Sequence, residues 1–324
     1  MTTTLARTLA PEAAELTAVS AVPARPRGRR WRTTLTGYLF ILPGIIGFGL
    51  MVLYPALTSL YHSFTKWNGL TAATWVGFDN FVYLFTKDPL FWPSLRATAY
   101  YVLLTVPASM VAGLALALLI NRRLAGVKIF RTVFYLPVVL PAVAVLTLWK
   151  YIYEPTYGLA NQVLEFLHLP TSMWLGDAKV ALPAIVIVNI WGIGGTMIIF
   201  LAGLQAVPQE LYEAAMIDGA GPIRRFVGVT LPMMGPILVL QLMLQVNGAF
   251  QTFTQVAILT KGGPGVSTNL LMYKIYNDGF GDFISSPQLG YATAEVWVLF
   301  VIVMVVTALL LRLSNRFAYE GDAA

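Results

Sequence analysis

The chain has 324 residues, of which 57% are hydrophobic and only 11% charged, with a formal net charge of +6. A soluble domain carries about 25% charged residues, so this composition would expose large apolar patches to water and excludes that class. Cysteine is absent, which excludes a disulfide framework, a cysteine zinc site and a cysteine nucleophile.

In chain order, residues 1–34 are rich in Thr, Ala and Pro and run into the basic string RPRGRRWR. Such a segment buries too little apolar surface to fold alone and reads as a disordered cytoplasmic tail. Residues 35–317 then form one transmembrane body, and 318–324 a second tail. Charge-free runs of membrane-crossing length predict six helices near 38–61, 97–120, 131–152, 182–204, 233–257 and 290–312. The class is therefore an all-α membrane protein embedded in a lipid bilayer. Pro43, Pro107, Pro137, Pro141, Pro183 and Pro236 fall inside these helices and predict kinks. Arg29-Arg30 resembles the start of an export signal, but the run that follows exceeds a signal-peptide core and reads as a retained helix.

With the N-terminus in the cytoplasm, 14 of the 21 Lys and Arg residues fall on the inner side, while acidic residues divide evenly. The positive-inside rule then places both termini in the cytoplasm. The basic residues cluster on no folded soluble face, so nucleic acid is not a partner.

Between helices four and five, residues 206–232 read LQAVPQELYEAAMIDGAGPIRRFVGVTLP with its flanks. Pro208 and the early acids suit a helix start, Gly219, Gly221 and Pro222 break it, and a second short helix follows. Leu211, Ala214, Ala215 and Ile217 form one small apolar face of the first helix, the kind that lies in a groove of another protein. An ordinary helical hairpin at the membrane surface has the same composition.

The order of residues goes further than composition. Glu213-Ala214-Ala215, then Gly219, then Val229-Thr230-Leu231-Pro232 resembles the EAA loop of binding-protein-dependent ATP-binding-cassette importers, with Val229 where isoleucine is commoner. The strings YLFILPGIIGFGLMVLYPALTSLYHSF, VGFDNFVYLF, LTKGGPGVSTNLLMYKIYNDGF and GYATAEVWVLF extend the resemblance over residues 35–317 to sugar-importing permeases of the maltose and glycerol-phosphate type, more to the first of their two paired subunits. The resemblance implies a heterodimer with a second, homologous permease, a cytoplasmic ATPase dimer, an external solute-binding protein and a location in a bacterial-type inner membrane. It also implies that Glu210, Glu213, Ala214, Ala215, Asp218, Gly219, Arg224 and Arg225 couple to the ATPase. No G-x-x-x-x-G-K-[ST] string occurs in the chain, so ATP and Mg belong to the partner ATPase and this subunit needs no cofactor and is no enzyme.

Polar residues inside lipid-crossing helices face the bundle interior or a water-filled path. Asn189, Trp191, Gln245, Asn247, Gln251, Thr252 and Glu295 are the candidates for a solute path, since amides, a carboxylate and an aromatic face together suit a polyol. Asn189 is similar to a sugar-contacting asparagine of maltose-type permeases, within the matching string VNIW. The turn LPVVLPA offers apolar residues where those permeases place hydroxyls, a departure that argues against the same sugar. Gln241 reads as glue between helices, and the same role is open for the other amides. Glu295 is read in three ways: bound to solute, paired with a cation of the sister subunit, or protonated against a neighbour. Coincident depths along the helices put Asn189, Asn247, Gln251 and Glu295 in one cavity. Trp297, beside Glu295 on helix six, is a further polar candidate for the path. His62 and His168 fall in or beside external loops with no second ligand at metal spacing and read as ordinary surface or interface residues, so no metal site is expected. A self-sufficient ion-coupled transporter or channel is the alternative, for which Glu295 would supply the coupling site.

Overall fold

The computed structural model describes residues 27–121, 126–281 and 288–314; the C-terminal tail and most of the N-terminal tail lie outside them. The chain divides into two compact units, one up to Thr58 and one from Ser59 onward.

α1 (Arg27–Phe48) passes through a π-helical turn (Gly49–Leu53) into α2 (Tyr54–Ser63), within which the boundary between the units falls. α1 begins at Arg27, inside the segment expected to be unstructured, because Arg and Trp extend a helix already nucleated in the apolar run. Pro55 has no N–H for the carbonyl four residues back, which fits a widened turn just before it.

The second unit adds a two-stranded antiparallel ladder, β1 (Thr65–Lys66) with β2 (Thr74–Trp75), Thr65 opposite Trp75. No strand was expected. The Asn80 amide donates to the carbonyls of Ser63 and Thr65, at 2.8 and 3.0 Å, and so pins β1 to α3 (Asp79–Thr86).

α4 (Phe91–Ile120) is the axle of this unit. Asp88 Oδ1 accepts from the Leu90 and Phe91 amides, at 2.7 and 3.2 Å, which starts α4 six residues before the charge-free run does. Its buried stripe includes Thr98, Tyr101, Val102, Thr105, Ser109, Gly113 and Ala117. Against it pack α8 (Ala181–Trp191), α9 (Gly194–Ala206) and α13 (Gly235–Phe250). Small residues permit the close approach: a Cβ on Gly113 would lie 2.7 Å from Thr196 Cγ2, and one on Gly194 only 2.3 Å from the Phe134 carbonyl.

Among the described residues, four helical stretches are long and apolar enough to cross a membrane: Thr34–Ser63, Phe91–Ile120, Gly235–Leu259 and Leu289–Leu313. Two bent pairs bring the number to as many as six. The helix expected over 131–152 is in fact α5 (Val127–Val139) and α6 (Ala142–Ile152), bent by 99°. Pro141 drives Leu140 out of the helical region, to ψ 145°, and so ends α5. The helix expected over 182–204 bends by 51° between α8 and α9, where Gly192 and Ile193 leave the helical path. After α6 come α7 (Leu159–Phe166) and a 3-10 turn; after α9, α10 (Gln209–Ile217), α11 (Pro222–Arg225), a π turn (Phe226–Thr230) and α12 (Leu231–Met233) lead into α13. α14 (Thr254–Leu259), α15 (Leu271–Tyr276), a π turn (Asn277–Gly281) and α16 (Leu289–Ser314) complete the unit.

Candidate functional site

At the break between α8 and α9 lies a cavity of about 300 Å³. Asn189, Trp191, Thr254 and Gln255 supply its polar and aromatic lining, and Pro137 and Leu140 from the α5–α6 bend its apolar wall. The 99° bend is what turns LPVVLPA into that wall. Asn189 donates from Nδ2 to Ser109 Oγ on α4 at 3.1 Å, which fixes the amide and leaves its carbonyl oxygen free to accept. Trp191 stands edge-on to Trp149, with ring centroids 5.9 Å apart. Thr254 and Gln255 were missed, because helix five was carried through the break at Gln251–Phe253; the polar string QTFTQ was the available signal.

The other amides are placed differently. Gln241 and Gln245 both donate to Thr196 Oγ1, at 3.0 and 2.6 Å, and so tie α13 to α9. Asn247 and Gln251 are exposed and hydrogen-bonded to each other one turn apart, and Thr252 is buried with its hydroxyl on the Gly248 carbonyl at 3.2 Å. Trp297 packs edge-on against Phe300, and His62 stacks on Trp67, with centroids 5.3 and 3.9 Å apart. His168 is exposed.

Glu295 is fully buried on α16 and departs from the expected shared lining. Its carboxylate meets Lys274 Nζ of α15 at 2.5 Å, a cation of this same chain, and the ammonium also reaches Asp88 and Asp278, each at 2.6 Å. Tyr291 donates its hydroxyl to Asp88. Depth alone brought Glu295 and Asn189 together in the sequence reading; the structure sets Glu295 against Lys274 and not among the residues that line the cavity. Burial disfavours the charge on Lys274, but Glu295, Asp278 and Asp88 outweigh it and hold the ammonium above the ordinary lysine value. Burial likewise pushes Asp88 up, and hydrogen bonds from Lys274, Tyr291 and the Leu90 amide bring its carboxyl below the usual range. A lone lysine in the apolar string LLMYKIY was the signal for this cluster.

The hairpin of α10 and α11 is built on a Schellman turn. Ala220 N–H bonds the Ala215 carbonyl and Gly219 N–H the Met216 carbonyl, at 2.9 and 3.0 Å, with Gly219 at φ +76°. Pro222 opens α11. Glu210, Glu213, Ala214, Asp218 and Arg224 are exposed, Ala215 and Arg225 half-buried. Gln209 donates to Glu213 at 3.0 Å. Ile217 and Ile223 stand 88% and 81% exposed, and Ile223 with Val227 edges an apolar groove of about 590 Å³. The hairpin thus presents exposed apolar side chains with charges at its margin.

Residues 106–319 match the family described as "Binding-protein-dependent transport system inner membrane component". The chain is 38% identical over 89% of its length, and 93% of the other, to "Probable ABC transporter permease protein YesP" of Bacillus subtilis (strain 168). It is 36% identical over 89% of its length, and 94% of the other, to "Sulfoquinovosyl glycerol transport system permease protein SmoG" of Agrobacterium fabrum. Among solved structures, it is similar to a chain of a bacterial ABC transporter that imports the acidic polysaccharide alginate, with a TM-score of 0.76 and 25% identity over 89% of this chain and 99% of that one.

Proposed function

The chain belongs to the family of binding-protein-dependent transport system inner membrane components, and from that premise we propose that it carries a sugar or sugar derivative inward as one permease subunit of an ATP-driven importer. The observation that carries the reading beyond family membership is the exposed α10–α11 hairpin, which offers apolar side chains and small residues to a partner. A multi-pass permease without a nucleotide loop needs that partner, a cytoplasmic ATPase dimer holding ATP and Mg. Residues 206–232 form its docking element, with both termini on the same cytoplasmic side. A second, similar permease completes the path, and an external solute-binding protein delivers the cargo. The names of the relatives, one a sulfoquinovosyl glycerol permease, support a carbohydrate cargo.

In this reading Asn189 and Trp191 face the passing solute, with Thr254 and Gln255 across the cavity. An amide accepts or donates to hydroxyls, and an indole face packs on the apolar side of a sugar ring. Gln241 and Gln245 hold helices together. Glu295 is paired with Lys274 of the same chain, which argues against its use as the coupling site of an ion-coupled carrier.

The test is purification from membranes in mild detergent, followed by reconstitution. The expected result is recovery with a second permease and an ATPase, and uptake that requires both ATP and the binding protein. Recovery of this chain alone, active in liposomes without ATP, would overturn the proposal.

A further inference from the structure

The Tyr212 hydroxyl on α10 lies 2.9 Å from the hydroxyl of Thr230, which closes the π turn at the foot of α13 and is 4% exposed. Both lie within residues 206–232, Tyr212 half-buried and Thr230 buried. The π turn makes the pairing possible. Its closing bond runs from the Leu231 amide to the Phe226 carbonyl, five residues back, and so adds a residue to the helical path. One residue turns a helix by about 100°, so in a regular helix the Thr230 side chain would point well away from α10.

Along the backbone, α10 reaches α13 only through the turn Asp218–Gly221, α11, the π turn and α12. That route contains Gly219, Gly221 and Pro222, so it bends more readily than a helix does. The hydroxyl pair is a second attachment that bypasses this turn.

We propose that Tyr212 is a positioning residue: its hydrogen bond to Thr230 fixes the angle of α10 against the foot of α13, so that displacement of the hairpin moves the membrane helix instead of being absorbed in the turn. The inference rests on the reading of α10–α11 as the ATPase-docking element.

The experiment measures solute imported per ATP hydrolysed by the whole complex in vesicles. Tyr212→Phe keeps the ring and removes only the hydroxyl, and Thr230→Val removes the other partner while keeping its shape. Loss of one hydrogen bond predicts about a fivefold fall in solute per ATP for either variant, with ATP hydrolysis persisting. The double variant is expected to fall no further than either single one. An unchanged ratio in both single variants overturns the inference, as does a loss of hydrolysis and transport in equal proportion, the mark of a merely structural role. Independent, multiplying losses in the double variant overturn the pairing. If no ATPase accompanies the wild-type chain, the docking reading falls and takes the inference with it; an active complex with unchanged ratios sinks the inference alone.

Discussion

Lys274 and Glu295 stand on different elements, yet the ammonium and carboxylate meet at 2.5 Å with side-chain exposures of 3% and 0%. Removing one member of a buried pair strands the other charge, at about 3–5 kcal/mol. Lys274 also holds Asp88 and Asp278, so the two members are not equivalent. Lys274→Met leaves three carboxylates facing one another, whereas Glu295→Gln leaves the ammonium two. We expect the lysine variant to lower the thermal unfolding midpoint of the purified protein more, and Lys274→Met with Glu295→Leu to regain part of the loss. Equal losses from the two single variants would contradict a shared ammonium.

The same cluster sets a pH dependence. Asp88 has a folded pKa below its ordinary value, so its contribution is present above pH about 4 and is lost as pH falls through the folded value. Lys274 is shifted upward, so its contribution is complete below pH about 10.4 and is lost only as pH rises through the folded value. Asp88→Asn keeps an acceptor for the Leu90 and Phe91 amides but removes the titration. Its thermal midpoint is expected to fall less steeply than that of the wild type as the medium is acidified below pH about 4. Parallel acid slopes for the two proteins would show that Asp88 is not the titrating group.

Gly194 and Gly195 are neighbours with opposite surroundings. A Cβ on Gly194 would meet the Phe134 carbonyl at 2.3 Å and Tyr135 Cα at 2.9 Å, both backbone atoms that cannot swing aside. Nothing lies within 4 Å of one on Gly195. Gly194→Ala must push α9 away from α5, with a destabilisation of about 1–3 kcal/mol, and Gly195→Ala is expected to leave the thermal midpoint unchanged or slightly raised. Similar behaviour of the two would mean that α5 and α9 do not approach so closely.

Asn189 and Gln245 separate a path role from a packing role. Asn189→Leu and Trp191→Ala are expected to raise the solute concentration for half-maximal uptake about tenfold, the equivalent of one hydrogen bond or ring contact of roughly 1.4 kcal/mol. Gln245→Leu breaks a bond to Thr196, which Gln241 still holds, and is expected to change that concentration little while lowering the thermal midpoint. The reverse pattern would move the solute path from the α8–α9 break to α13.

Helix existence was legible because lipid-crossing runs must be nearly charge-free, and the end of α4 at Ile120 was read to the residue. Its start was not, because Arg96 interrupts the run and the cap comes from Asp88, outside it. Pro141 marked the place of a kink, but the 99° angle depends on Leu140 leaving the helical region. No proline marked the α8–α9 break, where the string WGIGG was the signal. Facing was the least legible property. Helices apolar on every side carry no stripe to orient them, and depth coincidence cannot separate Asn189, which lines the cavity, from Glu295, which does not. Lys274 was counted only as an external charge, since nothing local in the sequence pairs residues 274 and 295.

Gly219 is the hinge of the docking hairpin, and its role can be separated from bulk. Its φ of +76° lies in the left-handed region, while nothing lies within 4 Å of a Cβ built on it. A side chain there is therefore opposed by backbone strain alone, at about 1–2 kcal/mol for an ordinary residue and more for a β-branched one. Asn enters the left-handed region far more readily than Val. Gly219→Val should open the Schellman turn, free the Ala215 and Met216 carbonyls, and let α10 shift against α11. Gly219→Asn should keep the turn. The expected outcome in the reconstituted importer is a fall in solute moved per ATP for the valine variant and near-wild-type coupling for the asparagine variant. Gly47→Ala serves as the control, since Gly47 is neither crowded nor at positive φ and lies outside residues 206–232. Coupling retained by Gly219→Val in a correctly assembled complex would show that the left-handed turn is dispensable, and the hairpin would then be positioned by its partner instead of by its own backbone.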